Sequence, residues 1–264
     1  MNRRAKYFKV ARDMFFAQGI WTLYFLGIIV AIQVVQHVFT PYWGGSNPGF
    51  FLSSQISTRI YMLVIGIIAA IYFPRFYVEN GVTRKDAFRG IALGSLGLAA
   101  ALTLATVLIG ALESLLISGL NLPITLVHTP LLDIDDLKDI QNNIFANLFM
   151  SILMPSTTET VGPWGIGLLI TSLSKYVLYC AGFLIGTTFS RLNFIIGIGV
   201  IYFSAFLVLA HGGLWGFPMS SFFFGSGLIT LSLPIIVSLL GSLLIIGFML
   251  WVARQISKKT PIKL

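Results

Sequence analysis

The apolar residues of this chain fall into six long runs that polar segments separate. Apolar runs of about 18 or more residues are typical of helices that span a bilayer. At about 1.5 Å of rise per residue, each run can cross a hydrocarbon core of about 30 Å, although the fifth is barely long enough. The pattern predicts six transmembrane helices, over residues 14–35, 56–73, 91–117, 164–189, 194–210 and 231–252.

The composition agrees with a protein that lies almost entirely in a membrane. Of the 264 residues, 56% are hydrophobic and 10% are charged, and the mean hydropathy is +0.90. A soluble domain carries roughly 25% charged residues, so a soluble globule of this length would lack enough charge to cover its surface. We therefore predict an all-α membrane protein in which residues 14–253 form a six-span transmembrane domain. Cys180 is the one cysteine, which excludes an intrachain disulfide.

The basic residues predict the orientation of the spans. Most of the 17 Lys and Arg precede the first span or follow the second, fourth or sixth. By the positive-inside rule, both termini and the even-numbered loops lie in the cytoplasm and the chain resides in the cell's cytoplasmic membrane. The net charge of +8 does not indicate a nucleic-acid binder, because these residues flank apolar spans and form no stripe. They are Arg3, Arg4, Lys6, Lys9, Arg12, Arg75, Arg84, Lys85, Arg89, Arg191, Arg254, Lys258, Lys259 and Lys263.

Both terminal segments are basic. Residues 1–13 have a helical period, with basic side chains on one face and apolar side chains on another. This favours an amphipathic helix in the inner headgroup layer, and an ordinary positively charged anchor explains the same residues about as well. Residues 254–264 are predicted to be a basic cytoplasmic tail. The two N-terminal faces are Lys6, Lys9 and Arg12, and Tyr7, Val10 and Met14.

Residues 118–163 form the one long outer loop and carry most of the acidic residues. Apolar residues between positions 137 and 152 recur at helical spacing, Asp133 or Asp135 can cap the start, and Pro155 follows the end. The pattern predicts a helix on the outer face. An amphipathic helix on the membrane surface and a helix that caps the bundle both remain open.

Residues 74–90 form the inner loop between the second and third spans. Pro74 is expected to end or kink the second span. Gly81 can adopt the left-handed conformation that closes a short helix. Thr83 with Asp86 three residues later has the capping-box pattern, so a new helix should begin at Arg84. Both a solvated loop and a docking element for a cytoplasmic partner fit this pattern.

The segment Glu79-Asn80-Gly81-Val82-Thr83-Arg84-Lys85 resembles the Asn-Gly-x-Ser/Thr-Arg-Lys segment common in permease subunits of type-two ATP-binding-cassette (ABC) exporters. Those permeases have six spans, cytoplasmic termini, an amphipathic helix before the first span and a coupling helix between the second and third. Many of them carry their main outer excursion between the fifth and sixth spans, whereas the long loop here follows the third. The resemblance implies that an ATPase subunit docks on the coupling loop 74–90, through Phe76, Tyr77, Glu79, Asn80, Gly81, Thr83, Arg84 and Lys85.

The chain contains no Gly-x-x-x-x-Gly-Lys-Ser/Thr phosphate loop. With no phosphate loop and no complete catalytic constellation, the chain is predicted to bind no cofactor and not to be an enzyme. The resemblance implies that ATP and magnesium bind to a separate ABC ATPase subunit. It also implies a second permease copy or paralogue as a partner, with membrane lipids around the assembly.

Three ionisable residues lie in or near the spans, where charge is costly and usually has a purpose. Arg59 and Glu113 lie at matching depths near the outer ends of the second and third spans, which predicts a structural ion pair. Lys175 lies near the middle of the fourth span. Its side chain is expected to snorkel or meet a helix-end carbonyl, or else to face a polar pathway or subunit seam. In the same span, Gly182 and Gly186 form a small-xxx-small pair that allows close helix contact.

An intramembrane protease is the enzyme alternative. The segment Ala210-His211-Gly212-Gly213-Leu214 resembles the histidine span of rhomboid proteases, which need a serine nucleophile in a Gly-x-Ser setting. The chain has Gly94-Ser95 and Gly225-Ser226 but no Gly-x-Ser-Gly in an earlier span, so an interfacial histidine explains His211 better. The three histidines are scattered, and no metal site is predicted: His37, His128 and His211.

These observations predict the permease subunit of an ABC exporter, whose substrate by family analogy is an amphiphilic compound or antimicrobial peptide. The competing hypothesis is a non-transporting membrane protein with an immunity or sensor role.

Overall fold

The computed structural model describes residues 6–43, 47–120, 126–127, 164–215 and 233–259. This part of the chain contains six helices, and each is long and apolar enough to cross a membrane. The prediction of an all-α protein with six spans is confirmed. The helices are α1 (Lys6–Trp43), α2 (Phe50–Glu79), α3 (Arg84–Gly119), α4 (Trp164–Phe189), α5 (Phe194–Leu214) and α6 (Ile235–Lys259).

Two short strands accompany the helices outside the predicted spans. β1 (Asn47–Pro48) and β2 (Leu126–Val127) pair in parallel, with Asn47 opposite Leu126. The predicted outer helix over 137–152 and its flanking acidic residues lie outside the described residues, as does the end of the basic tail.

Helix α1 is continuous from the basic N-terminal segment into the first span. Within residues 6–13, Lys9 and Arg12 are exposed and Val10 is buried, which matches the two predicted faces. The apolar face packs on α3, because Gly90 leaves room for Val10 and Gly94 leaves room for the next turn of α1. This segment is thus an extension of the first span that the protein itself holds in place.

Helix α4 is the centre of the bundle. It packs against α2, α3, α5 and α6, while α1 packs mainly on α3. In the most apolar stretch of α4, 78% of the residues are buried, against 22% in each of α1, α5 and α6. The peripheral helices therefore present most of their apolar side chains outward, as lipid contact requires.

Three glycines bring α2 and α4 into backbone contact. A Cβ at Gly66 would overlap the Tyr179 carbonyl, and a Cβ at Gly182 would overlap the Leu63 carbonyl. Gly186 approaches Ile67 in the same way, so the close contact predicted for the Gly182 and Gly186 pair is confirmed. The two helices run in the same direction with a fixed register.

The start of α1, the two turns α2–α3 and α4–α5, and the end of α6 meet at one end of the bundle. The Tyr77 hydroxyl donates to Asp13 Oδ2 over 2.7 Å, which joins α2 to α1. Arg191 Nη1 donates to the Ser257 carbonyl over 2.9 Å, which joins the α4–α5 turn to α6. This end carries the basic residues that the sequence assigns to the cytoplasm, and it is called the inner end below.

Candidate functional site

The α2–α3 turn has the geometry that its glycine predicts. Gly81 has a φ of +74°, in the left-handed region. The Val82 amide donates to the Tyr77 carbonyl over 2.9 Å and the Gly81 amide donates to the Val78 carbonyl over 3.0 Å. These two bonds form a Schellman motif, which satisfies the last carbonyls of α2 and reverses the chain sharply.

The helix that Gly81 closes is the long helix α2 and not the separate short helix that the sequence predicts. Pro74 lies inside α2, which continues to Glu79, so Pro74 does not end the second span. No separate short helix lies between α2 and α3 in this fully described turn. Pro74 is tolerated because it costs the helix one backbone hydrogen bond near its inner end, where fewer turns depend on it. Residues 74–90 are thus the end of one long helix, a tight turn and the start of another.

Thr83 caps α3, which begins at Arg84 as predicted. Its Oγ1 accepts from the Asp86 amide over 3.2 Å, and the same hydroxyl donates to Asp86 Oδ2 over 2.8 Å. The shorter Asp side chain thus meets the Thr83 hydroxyl, whereas a Glu in a capping box would reach the cap residue's amide.

The two aromatic residues of the predicted docking set have different environments. The Phe76 side chain is 53% exposed, whereas Tyr77 is 5% exposed. Tyr77 lies against Phe73 and bonds to Asp13, so it fastens α2 to α1. Tyr77 must therefore be removed from the predicted docking contacts, and Phe76 remains.

The polar residues of the turn surround Phe76 at the surface. Arg75 Nε bonds to Glu79 Oε1 over 2.8 Å, and Asn80 Nδ2 donates to the Phe76 carbonyl over 2.8 Å. Arg84 and Lys85 are exposed at the start of α3. The structure thus brings the remaining predicted residues together on one exposed turn at the inner end.

At the opposite end, the Glu113 carboxylate has partners that differ from the predicted one. Its Oε1 accepts from Gln33 Nε2 over 3.0 Å and lies 2.6 Å from His37 Nε2, and its Oε2 accepts from the Phe50 amide over 2.6 Å. Glu113 thus ties α3 to α1 and α2, and among the described residues its ion pair is with His37. The predicted pair of Glu113 with Arg59 is wrong, because α1 continues past the end of the apolar run and brings His37 to Glu113.

Arg59 and Lys175 lie inside the bundle on the two helices that the glycines join. The side chain of Arg59 is buried and Lys175 is 0% exposed. Since Leu63 and Ile67 face Gly182, the same register places Arg59 at the level of Lys175. The Lys175 Nζ is itself buried, so snorkelling to the surface is excluded.

Further polar side chains lie near these two cations. Gln55 is one turn from Arg59 on α2 and is almost fully buried, and His211 on α5 lies within electrostatic range of Arg59. Gln55, Gln18 and Gln33 are not among the residues that the sequence predicts for a site, and the signal that marks them is an amide residue at a bundle-facing position of an apolar helix. Toward the inner end, Gln18 Nε2 donates to the Tyr179 hydroxyl over 3.3 Å.

Of the residues that resemble a rhomboid site, Ser95 and His211 lie apart in the described part of the chain, and Gly225 and Ser226 lie outside the described residues. Ser95 Oγ donates to the Ala92 carbonyl over 3.1 Å and lies beside Tyr176 and Tyr179 of α4. His211 is buried near Arg59 instead. Within the part of the chain that the structure describes, no group of three or more His, Cys, Asp or Glu side chains is arranged to hold a metal ion.

Comparison with known proteins gives no family model, no curated protein and no solved structure that matches this chain.

Proposed function

We propose that this multi-pass membrane protein is the permease subunit of an ATP-driven exporter. ATP and its magnesium bind to a separate ATPase subunit, which docks on the α2–α3 turn at the inner end. The observation that carries the proposal is this turn, where a large aromatic side chain and two cations are exposed on a backbone held by two specific caps.

The turn has the physical properties of a docking element. The Schellman motif at Gly81 and the Thr83 cap fix its backbone, so little conformational entropy is lost when a partner binds. An exposed Phe76 can fill an apolar cleft on the partner and supply most of the binding energy. Arg84 and Lys85 lie at its edge, where charges mainly set the rate and salt dependence of association.

The interior of the bundle supports a transport role. Charged residues buried among apolar helices are costly and are typical of pathways for polar or charged groups. Arg59 and Lys175 at one level, with Gln55 and His211 nearby, form such a region inside the outer half of the bundle. A substrate with an apolar body and a polar group, such as an amphiphile or an antimicrobial peptide, suits this combination of lipid-facing helices and polar interior.

The test is co-purification with a candidate P-loop ATPase, followed by the ATPase rate in nanodiscs. Phe76→Ala should weaken association by about tenfold or more, because a buried aromatic anchor is lost. Lys85→Ala should weaken it about twofold to fivefold and reduce its salt dependence. Gly81→Val should also uncouple the complex, because a β-branched residue at positive φ strains the turn.

Phe194→Ala provides the matched control. Phe194 is 69% exposed at the start of α5, on the neighbouring inner turn, and the proposal gives it no role in docking. Its removal should leave association and ATPase rate unchanged. Full association and full substrate-stimulated hydrolysis in all of the α2–α3 variants would show that the turn is only a solvated loop, and the transporter proposal would lose its main support.

A further inference from the structure

Arg191 occupies an unusual position at the inner end. It lies in the four-residue turn between α4 and α5 and is only partly exposed. Partial burial lowers the pKa of its guanidinium, and the nearby charge of Arg84 lowers it further. Nη1 donates to the Ser257 carbonyl, in the last turn of α6, where carbonyls lack helical partners.

The packing of α3 on α4 explains why Arg84 lies near Arg191. The rings of Phe88 and Phe183 meet edge to face with centroids 5.8 Å apart. Arg84 is one turn before Phe88 on α3, and α4 runs in the opposite direction. Arg84 therefore lies level with the end of α4, where the chain turns through Arg191. Apolar contacts thus hold two like charges near each other.

The guanidinium groups of Arg84 and Arg191 have more N–H donors than the described residues supply hydrogen-bond acceptors for. A guanidinium has five N–H donors, and the described part of the chain shows one bond from Arg191 and none from Arg84. The described carboxylates of the inner end have other partners: Asp86 accepts from Thr83, Glu79 pairs with Arg75, and Asp13 accepts from Tyr77. The start of α3 adds the positive end of a helix dipole at the same place.

We propose that Arg84 and Arg191 together bind the phosphate group of an anionic phospholipid from the inner leaflet. A phosphate between them accepts several charge-assisted hydrogen bonds and offsets the repulsion of the two cations. The exposed Phe189 at the end of α4, two residues before Arg191, offers an apolar contact for its acyl chains, which favours a lipid over a free phosphate. Basic recesses between spans on the cytoplasmic side bind anionic headgroups by this chemistry. The inference does not depend on the transport proposal.

The experiment uses the full chain, purified in nonionic detergent without any ATPase. It is titrated separately with phosphatidylglycerol and phosphatidylcholine, and bound lipid is counted by native mass spectrometry. Phosphatidylglycerol should bind tighter, and Arg84→Gln and Arg191→Gln should each weaken it about fivefold, the effect expected for one basic residue near an anionic surface. Arg84 is exposed, so its replacement tests the site without disturbing the fold.

Lys9→Gln is the matched control, since Lys9 is an exposed cation at the inner end on α1. It should change phosphatidylglycerol affinity by less than about twofold, as expected for a surface charge outside the site. Equal affinity in all variants, or equal binding of the two lipids, would overturn the proposal. Displacement of the lipid by millimolar inorganic phosphate would show a free-phosphate site and would overturn the assignment to a lipid.

Discussion

At the scale of single residues, Glu113 is the charge that most clearly has a structural role. A carboxylate within an apolar bundle is tolerated when its oxygens are fully hydrogen-bonded. Glu113 reaches this state by accepting from two side chains of α1 and from the first backbone amide of α2. The Gln33 Oε1 in turn accepts from Ser53, so the network holds the outer ends of three helices together.

We predict that His37 and Glu113 are energetically coupled, whereas Arg59 and Glu113 are not. In a double-mutant cycle, the double variant His37→Ala/Glu113→Gln should lose less unfolding free energy than the sum of the two single variants, by about 1 kcal/mol. The reason is that either change alone already breaks the contact. The free energy of unfolding in detergent is the measurement. For Arg59→Gln with Glu113→Gln, the two losses should add within about 0.5 kcal/mol.

One pattern of unfolding free energies would contradict this prediction. Additive losses for His37 and Glu113, together with coupling between Arg59 and Glu113, would restore the pairing that the sequence first indicated. The outer network would then have no energetic significance.

At the scale of secondary-structure elements, the α2–α4 crossing determines the position of the polar interior. Lipid offers apolar side chains as good an environment as another helix does, so close packing is the main attraction between spans. Gly66, Gly182 and Gly186 allow this packing because they have no Cβ at the contact. The register that they fix is also what aligns Arg59 with Lys175.

We predict that Gly182→Ala destabilises the bundle by about 1–3 kcal/mol, because the added methyl overlaps the Leu63 carbonyl and forces the helices apart. Gly199→Ala is the control, since a Cβ there would meet nothing within 4 Å. Thermal unfolding and the monodisperse yield in detergent are the measurements. If Gly182→Ala unfolds like Gly199→Ala, the crossing is looser than the structure shows.

Local sequence was sufficient to predict those features that depend on a few neighbouring residues. It was not sufficient for features that depend on how separate helices pack. Gly81, Thr83 and the small residues of α4 act over a few positions, so their turn, cap and close contact were predictable. The environments of Phe76 and Tyr77 were not, because adjacent residues on a helix point about 100° apart and the packing of α1 decides which is buried. The partner of Glu113 was likewise set by how far α1 extends.

At the scale of the whole molecule, the two ends of the bundle differ in chemistry. The inner end gathers cations on two tight turns, the exposed Arg84 and the partly buried Arg191, together with the basic residues at the end of α6. The outer end carries the hydrogen-bonded Glu113 network, and the acidic residues of the long loop follow α3 in sequence. A docking partner and anionic lipid headgroups would both be attracted to the same inner end.

This polarity gives the final prediction, which concerns orientation in the membrane. Asn193 is exposed on the inner α4–α5 turn and caps α5 without a side-chain bond, and Ser118 is exposed at the outer end of α3. In intact cells, a membrane-impermeant thiol reagent should label Ser118→Cys and not Asn193→Cys, and both should be labelled after the cells are opened. The native Cys180 is buried and gives little background. The orientation assigned here follows from the positive-inside rule, which depends on the Lys and Arg near the spans. Labelling of Asn193→Cys in intact cells would show that the true orientation is the reverse. The α2–α3 turn would then face away from any cytoplasmic ATPase, and the docking proposal would fail with it.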